Sequence, residues 1–314
     1  MSSQSKVIGH LACLSAYIIF GFNIIACKNV ANTGLVSPMT ILSFRSIGAA
    51  LLFWLTSLFM PKERVPFHDL FKIFLASLLG LFLTQIFFLE AISRTTPLDS
   101  AILTSTTPIF TMFVAAVALK EPITLKKAGG VAISFVGVLI LIMNSVHSSG
   151  VVTQSKPLGL FFMIMNCLCF ALYLGIFKPL IQRYSVITFM KWMFLFSMLM
   201  SVAFDAKEIF TLDYSALPSN TLLQLAYIVV FATFLAYFFV PVGQKVLRPT
   251  IISLYSYVQP IIATISSIVL GMDALTWQKL VAAAMVFGGV TLVNMSRSAA
   301  QTSKHKRCKS LGSR

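Results

Sequence analysis

The stretch TSTTPIFTMFVAAVALKEPIT (Thr104–Thr124) is matched later in the chain by SYVQPIIATISSIVLGMDALT (Ser256–Thr276). The second stretch follows the first at a constant shift of 152 residues. At that shift, Pro97–Met143 aligns with Pro249–Met295 without a gap, and eleven positions are identical. Shared apolar composition would give some matches, but it would not align both prolines and the acidic residue that follows. The chain therefore contains an internal repeat.

The composition around this repeat is that of a membrane protein. Of the 314 residues, 58% are hydrophobic and 11% are charged, and the mean hydropathy is +0.90. A soluble domain carries about 25% charged residues, and apolar runs of about 20 residues are long enough to cross a bilayer as helices. The sequence predicts an all-α polytopic membrane protein. Ten transmembrane helices are expected at about 8–28, 38–60, 70–92, 98–118, 125–144, 157–178, 186–204, 220–243, 249–270 and 277–296.

The net charge of +15 lies mainly in segments that flank these spans. Such basic flanks orient membrane proteins and contact anionic lipid headgroups, so we expect membrane lipid and no nucleic acid as a partner. With the amino terminus inside, the inner segments before the tail carry 11 Lys and Arg residues and the outer segments carry 5. This bias predicts a multi-pass protein of the plasma (inner) membrane with both termini cytoplasmic.

Five predicted spans fall in each half of the chain, which predicts two five-helix repeats at 1–147 and 148–296, followed by a basic cytoplasmic tail at 297–314. Because five is odd, the second repeat is expected to be inverted relative to the first. Inverted repeats are typical of secondary transporters, in which they allow a central site to open to either side in turn. The alternative is a duplication that serves folding alone.

The sequence resembles the EamA-type transporters of the drug/metabolite transporter superfamily. The resemblance rests on FGFN at Phe20–Asn23, SFR at Ser43–Arg45 and LTSTTPIFTMFVAAVALKEPITLKKAGGVAISFVGVLIL at Leu103–Leu141. It also rests on the stretch in the second half of the chain that repeats the last of these. It covers roughly residues 8–296. The resemblance implies ten spans in two inverted five-helix repeats, with export or exchange of small metabolites such as amino acids. The chain departs from the family pattern at the KEP sequence and at Asp273, both in loops.

Two prolines mark the centre of the repeat. Pro108 and Pro260 each lie near the middle of a predicted span and free the carbonyl group four residues earlier. Hydroxyl-bearing residues surround both, and we interpret them as bent or broken helices that line a substrate path near the midplane. The alternative is an ordinary proline kink with hydroxyl groups bonded back to their own helix.

Two cations lie inside predicted spans, where a charge costs about 2.5–3.5 kcal/mol at the centre. Arg45 is expected either to meet a substrate carboxylate or to form an outer gate with Glu90. Snorkelling or a fixed ion pair are the alternatives. Lys191 could serve a second gate or reach the cytoplasmic face. Glu90 is taken as the carboxylate within the spans, so a relay of several carboxylates is not expected.

The predicted substrate path combines these residues with other polar side chains in the spans. It consists of Asn23, Arg45, Gln85, Glu90, Thr104, Thr107, Pro108, Tyr173, Lys191, Tyr257, Gln259 and Pro260. Asn166 and Trp192 are further candidates. Each of these side chains alone could equally make an ordinary contact between helices.

Three function classes were compared. A secondary transporter of small molecules is favoured; no Walker-type phosphate loop is present, so ATP is not expected to drive it. An enzyme is not expected, since no HExxH or GxSxG motif occurs and no cofactor or metal site is indicated. A flippase for a lipid or lipid-linked substrate remains an alternative on the same fold. Small residues at Gly130 and Ser134, and at Ala284 and Gly288, permit close approach of helices, either within the chain or between two copies in a homodimer.

Overall fold

The computed structural model describes residues 3–119, 125–147, 155–247, 252, 255, 258–272 and 276–295. Within these residues the regular structure is helical, and no strand occurs. The predicted loop at Lys120–Thr124, the residue Tyr257 and the predicted basic tail lie outside the described residues.

The helices are numbered here in chain order. They are α1 (Ser3–Asn32), α2 (Pro38–Ser57), α3 (Phe67–Arg94), α4 (Pro97–Thr104), α5 (Thr107–Leu119), α6 (Leu125–His147), α7 (Pro157–Ile176), α8 (Lys178–Arg183), α9 (Val186–Thr211), α10 (Ser219–Val246), α11 (Val258–Val269) and α12 (Trp277–Met295).

Six of these helices are long and apolar enough to cross a bilayer: α1, α2, α3, α7, α9 and α10. Many large apolar side chains point away from the protein, and Phe204, Val117 and Val269 are each more than three-quarters exposed. Apolar surface of this extent suits a lipid environment. The chain is therefore an all-helical, multi-pass membrane protein.

Two helices begin at a Ser–Pro or Thr–Pro pair. Ser37 caps α2, where its hydroxyl accepts a hydrogen bond from the Thr40 amide, and Pro38 occupies the first turn. Thr96 caps α4 in the same way through the Asp99 amide. A proline is tolerated at these positions because the first-turn amides have no partner within the helix.

The internal repeat is visible in the geometry of α3 and α10. A π-helical turn occupies Leu78–Leu83 within α3, and another occupies Val230–Leu235 within α10. The two turns are separated by the same 152 residues as the sequence repeat. Such turns widen a helix locally and are frequent at functional sites.

The helices α6 and α12 are equivalent in the repeat and pack directly on each other. Ser134 donates a hydrogen bond to the carbonyl of Val286, the residue 152 positions later. Gly137 faces the backbone of Ala282, while Gly289 faces the backbone of Gly130. As positions rise along one helix they fall along the other, so the two helices are antiparallel.

Candidate functional site

A cavity lies between α1, α2, α3, α4, α5, α7, α10 and α11. It is lined by Tyr17, Phe20, Asn23, Ile24, Arg45, Thr84, Gln85, Phe88, Thr104, Thr107, Asn166, Phe170, Tyr237 and Gln259. The centre of a water molecule can occupy about 70 Å³ of it, which corresponds to roughly five water-sized positions. Half of the predicted path residues share this cavity: Asn23, Arg45, Gln85, Thr104, Thr107 and Gln259.

The break between α4 and α5 places two threonines at the cavity. Pro108 is the second residue of α5, so the helix ends at Thr104 and restarts at Thr107. The Thr107 hydroxyl donates to the Thr104 carbonyl at 2.7 Å, and the Thr104 hydroxyl donates to the carbonyl of Ser100 at 2.6 Å. These hydroxyls bond back to their own helix, and the same two threonines line the cavity.

Among the described residues that line the cavity, Arg45 is the only charged one, and it is 1% exposed. Its Nε donates to the Thr233 hydroxyl at 2.9 Å, and its Nη2 lies 3.5 Å from the carbonyl oxygen of Ala232. Both partners belong to the π-helical turn of α10. The turn therefore fixes the guanidinium group, and snorkelling to the membrane surface is wrong for Arg45.

The predicted Arg45–Glu90 pair is wrong as well. Glu90 binds Arg94 instead, one turn further along α3. This pairing is favoured because residues four apart on a helix lie on the same face. Glu90 is partly exposed at the end of α3 and does not line the cavity.

Gln85 and Tyr237 meet across the cavity. The Gln85 side-chain amide donates to the Tyr237 hydroxyl, and the two residues are equivalent at the shift of 152. Asn166 donates to the Thr84 carbonyl at 2.7 Å, which satisfies a backbone group beside the π-helical turn of α3. The contact between Gln85 and Tyr237 therefore joins equivalent positions of the two repeats.

Several buried polar atoms that line the cavity have no hydrogen-bond partner among the described residues. They are the Tyr17 hydroxyl, Gln85 Oε1 and Gln259 Oε1. A buried polar atom without a partner costs about 1–3 kcal/mol, so such atoms commonly mark a place for water or a ligand.

Other predicted path residues lie outside the cavity lining. Tyr173 is buried and packs its ring against Gly80 in the π-helical turn of α3. Lys191 places its Nζ 5.0 Å from the centre of the Trp54 ring, and Trp54 itself is 37% exposed. Pro108 and Pro260 lie next to lining residues but are not part of the lining.

Three buried aspartates were missed by the sequence reasoning, which took Glu90 as the carboxylate within the spans. Asp99 and Lys279 are both nearly inaccessible and form an ion pair at 3.4 Å, and the Ser155 hydroxyl donates to Asp99. Asp205, near the end of α9, accepts from the Thr40 hydroxyl at 3.1 Å. Each of these contacts joins distant parts of the chain, so sequence spacing gives no signal for it.

The third aspartate, Asp69, lies at the opposite end of the helix bundle. It accepts from Arg183 at 2.7 Å and from the Tyr184 hydroxyl at 2.5 Å. Asp69 begins α3, whereas Asp99 begins α4 after α3 has ended. We refer to the two ends of the bundle as the Asp69 end and the Asp99 end.

The aromatic lining was also missed. Phe20, Phe88 and Phe170 contribute apolar wall, and Tyr17 and Tyr237 contribute hydroxyls. Tyr237 could have been found, because it is the repeat partner of Gln85. Four cysteines are buried and form no disulfide: Cys13, Cys27, Cys167 and Cys169.

Three proteins that are similar in sequence to this chain are named as uncharacterized transporters. The chain is 24% identical to the uncharacterized transporter YetK of Bacillus subtilis (strain 168), over 90% of this chain and 85% of the relative. It is 23% identical to the uncharacterized transporter YyaM of the same organism, over 90% of this chain and 95% of the relative. An uncharacterized transporter of Archaeoglobus fulgidus is 27% identical over 49% of this chain and 52% of the relative.

A solved crystal structure of a protein has the same fold. It superposes with a TM-score of 0.64 at 15% identity and covers 93% of this chain and 98% of its own. The model of the EamA-like transporter family matches the chain twice, at residues 7–143 and 157–295. The chain therefore belongs to the EamA-like transporter family of the drug/metabolite transporter superfamily.

Proposed function

We propose that the chain is a secondary transporter that exports or exchanges small metabolites, amino acids or related compounds, through the cavity around Arg45. The observation that carries this proposal is the cavity itself, whose polar lining comes from helices of both family matches. A binding site between two repeats is the arrangement that secondary transporters use for alternating access. Transport in place of catalysis also agrees with the family.

The antiparallel packing of α6 and α12 supports two inverted repeats of five helices each. The contact between Ser134 and Val286 joins equivalent positions. Equivalent helices that run in opposite directions are expected when a two-fold axis lies in the membrane plane. This arrangement is compatible with ten spans, repeats at 1–147 and 148–296, and both termini on the cytoplasmic side of the plasma membrane.

Two sets of polar contacts are suited to act as gates in such a cycle. At the Asp99 end, α4 pairs with α12 through Asp99 and Lys279. At the Asp69 end, α3 pairs with the end of α8 through Asp69 and Arg183. Each pair joins the first family match to the second, so opening the cavity to one side would separate one pair and leave the other.

Reconstituted transport tests the proposal. Proteoliposomes would be loaded with a mixture of amino acids, organic acids, nucleosides, sugars and amines, and the loss of each compound would be followed by mass spectrometry. We expect at least one small metabolite to leave faster than it leaves protein-free vesicles. The same compound supplied outside should accelerate its exit further, as exchange requires.

The matched variant for this experiment is Gln259→Leu, which removes a polar cavity group at nearly constant volume. We expect it to slow exit of the transported compound, whereas Lys207→Gln on an exposed surface should not. If no compound leaves faster than it leaves protein-free vesicles, the proposal that the protein transports small metabolites fails. Accelerated movement of a labelled lipid in the same vesicles would favour the flippase alternative.

A further inference from the structure

We propose that the cavity selects a small carboxylate, and that its negative group pairs with the guanidinium group of Arg45. This inference rests on the proposed transport function and names the class of substrate for the same site. It follows from three features of the cavity: an uncompensated charge, weakly bonded outer nitrogens on that charge, and polar side chains beside apolar walls.

The charge of Arg45 has no counter-ion in the part of the chain that the structure describes. The cavity lining contains no aspartate or glutamate, and the partners of Arg45 are a hydroxyl, a carbonyl oxygen and the sulfur of Cys27. Glu90, the predicted partner, is occupied by Arg94. A buried charge is costly unless an opposite charge compensates it, so an anion that enters the cavity is favoured.

The guanidinium group also has donors to spare. Its Nε is held by Thr233 at 2.9 Å. The two outer nitrogens make only long contacts, Nη1 with the Cys27 sulfur at 4.0 Å and Nη2 with the Ala232 carbonyl at 3.5 Å. A planar guanidinium group with its outer edge weakly bonded matches the two oxygens of a carboxylate.

The remaining lining indicates what the rest of the ligand is. Tyr17, Gln85 and Gln259 contribute polar side chains to the lining, and a ligand that carries a hydroxyl or amino group besides its carboxylate matches them. Phe20, Phe88 and Phe170 supply apolar wall. The space open to water centres is only about 70 Å³, so a small carboxylate suits the cavity better than a long one.

The same chemistry disfavours a simple cation. The described residues place no carboxylate in the lining, and the charge of Arg45 would repel an amine. A zwitterion such as alanine is compatible, since its amino group can donate to the glutamine oxygens. An inorganic anion could also pair with Arg45, but it has no apolar part to pack against the walls of the cavity.

Matched ligands separate these possibilities. The purified full-length protein would be melted in detergent at constant sodium chloride, with lactate, lactamide or 1-amino-2-propanol added. These three share a methyl group and a hydroxyl and differ in carrying a carboxylate, an amide or an ammonium group. Alanine with alaninamide forms a second matched pair, and inorganic phosphate tests the plain anion.

We expect lactate or alanine to raise the melting temperature by roughly 4 °C at one hundred times the dissociation constant. Its amide partner, the amino alcohol and phosphate should give less than half of that shift. Arg45→Gln should remove the shift, and Arg45→Lys, which keeps the charge but loses the planar fork, should weaken binding roughly 10- to 100-fold. The matched control, Arg64→Gln, changes an exposed loop arginine and should keep the full shift.

The proposal is overturned if neither carboxylate stabilises the wild-type protein more than its amide, or if Arg45→Lys binds the carboxylate as tightly as the wild type. If Arg45→Gln does not fold, the lysine variant and the wild-type ligand series still decide the question. Uptake of labelled lactate and alanine into proteoliposomes separates binding from transport. If only lactamide or the amino alcohol is transported, the transport function stands and the proposed selection of a carboxylate is rejected. If the carboxylate binds but is not transported, the carboxylate site stands and the transport function is rejected.

Discussion

The Lys279→Met variant is expected to melt on the order of 5–10 °C below the wild-type protein. Lys279 and Asp99 are both buried, and the lysine Nζ lies 3.4 Å from Asp99 Oδ1. Methionine fills a similar volume but leaves Asp99 without its counter-ion. Removing one partner of a buried pair costs about 3–5 kcal/mol, because the remaining charge is buried and uncompensated. Thermal unfolding of the purified protein in detergent measures the change.

Two further variants show whether the lost charge pair is the cause. The double variant Asp99→Asn/Lys279→Met removes both charges and should recover most of the melting temperature, since neutral replacement of a whole pair is often tolerated. Lys207→Met removes an exposed lysine and should change stability by less than about 0.5 kcal/mol. A Lys279→Met protein that melts with the wild type would show that the pair contributes nothing.

Gly289→Ala is expected to destabilise the protein by about 1–3 kcal/mol, although alanine is the better helix former. A methyl group at Gly289 would overlap the Gly130 carbonyl oxygen and the Ser134 hydroxyl, and would lie 2.8 Å from the Ser134 amide nitrogen. Backbone atoms cannot move aside as a flexible side chain can. The substitution therefore forces α6 and α12 apart, and thermal unfolding in detergent reports the loss.

The adjacent residue provides the control. A methyl group at Gly288 would meet nothing within 4 Å, so Gly288→Ala should be neutral or stabilise by up to about 1 kcal/mol. The two variants make the same chemical change one residue apart on one helix. Equal effects of the two would contradict the close packing of α6 on α12.

The sequence predicted the class of fold because lipid imposes a simple rule. Apolar runs of bilayer length must be helical, since no water is present to satisfy the backbone. The repeat could be recognised in the sequence because prolines have few tolerated positions in a helix. The helix starts at Pro38 and Pro97 and the break before Pro108 follow from that restriction. The π-helical turns of α3 and α10 carry no comparable signal.

The cavity was predictable only in part. Polar residues near the middle of spans, such as Asn23 and Gln85, were found because they are costly in lipid unless they have a partner. The aromatic wall was missed, since Phe170 in an apolar helix looks like any other packing residue. Ion pairs were the least predictable feature. The choice of Arg94 over Arg45 as the partner of Glu90 follows from a local helix spacing, whereas Lys279 meets Asp99 only through the tertiary fold.

Alternating access requires that one cavity opens to each side of the membrane in turn. Thiol labelling at Thr104→Cys tests it, because Thr104 lines the cavity at the break between α4 and α5. The variant would be made after replacement of the five native cysteines, and treated with a charged maleimide that does not cross membranes. Right-side-out and inverted vesicles would be labelled separately.

Two exposed positions mark the faces in this experiment. His68→Cys lies at the Asp69 end and Ser219→Cys at the start of α10, at the Asp99 end. Each should react in one vesicle orientation only, and in opposite ones. Alternating access predicts that Thr104→Cys reacts in both orientations. Labelling of Thr104→Cys from one side alone, with the two face markers behaving as expected, would contradict alternating access through this cavity.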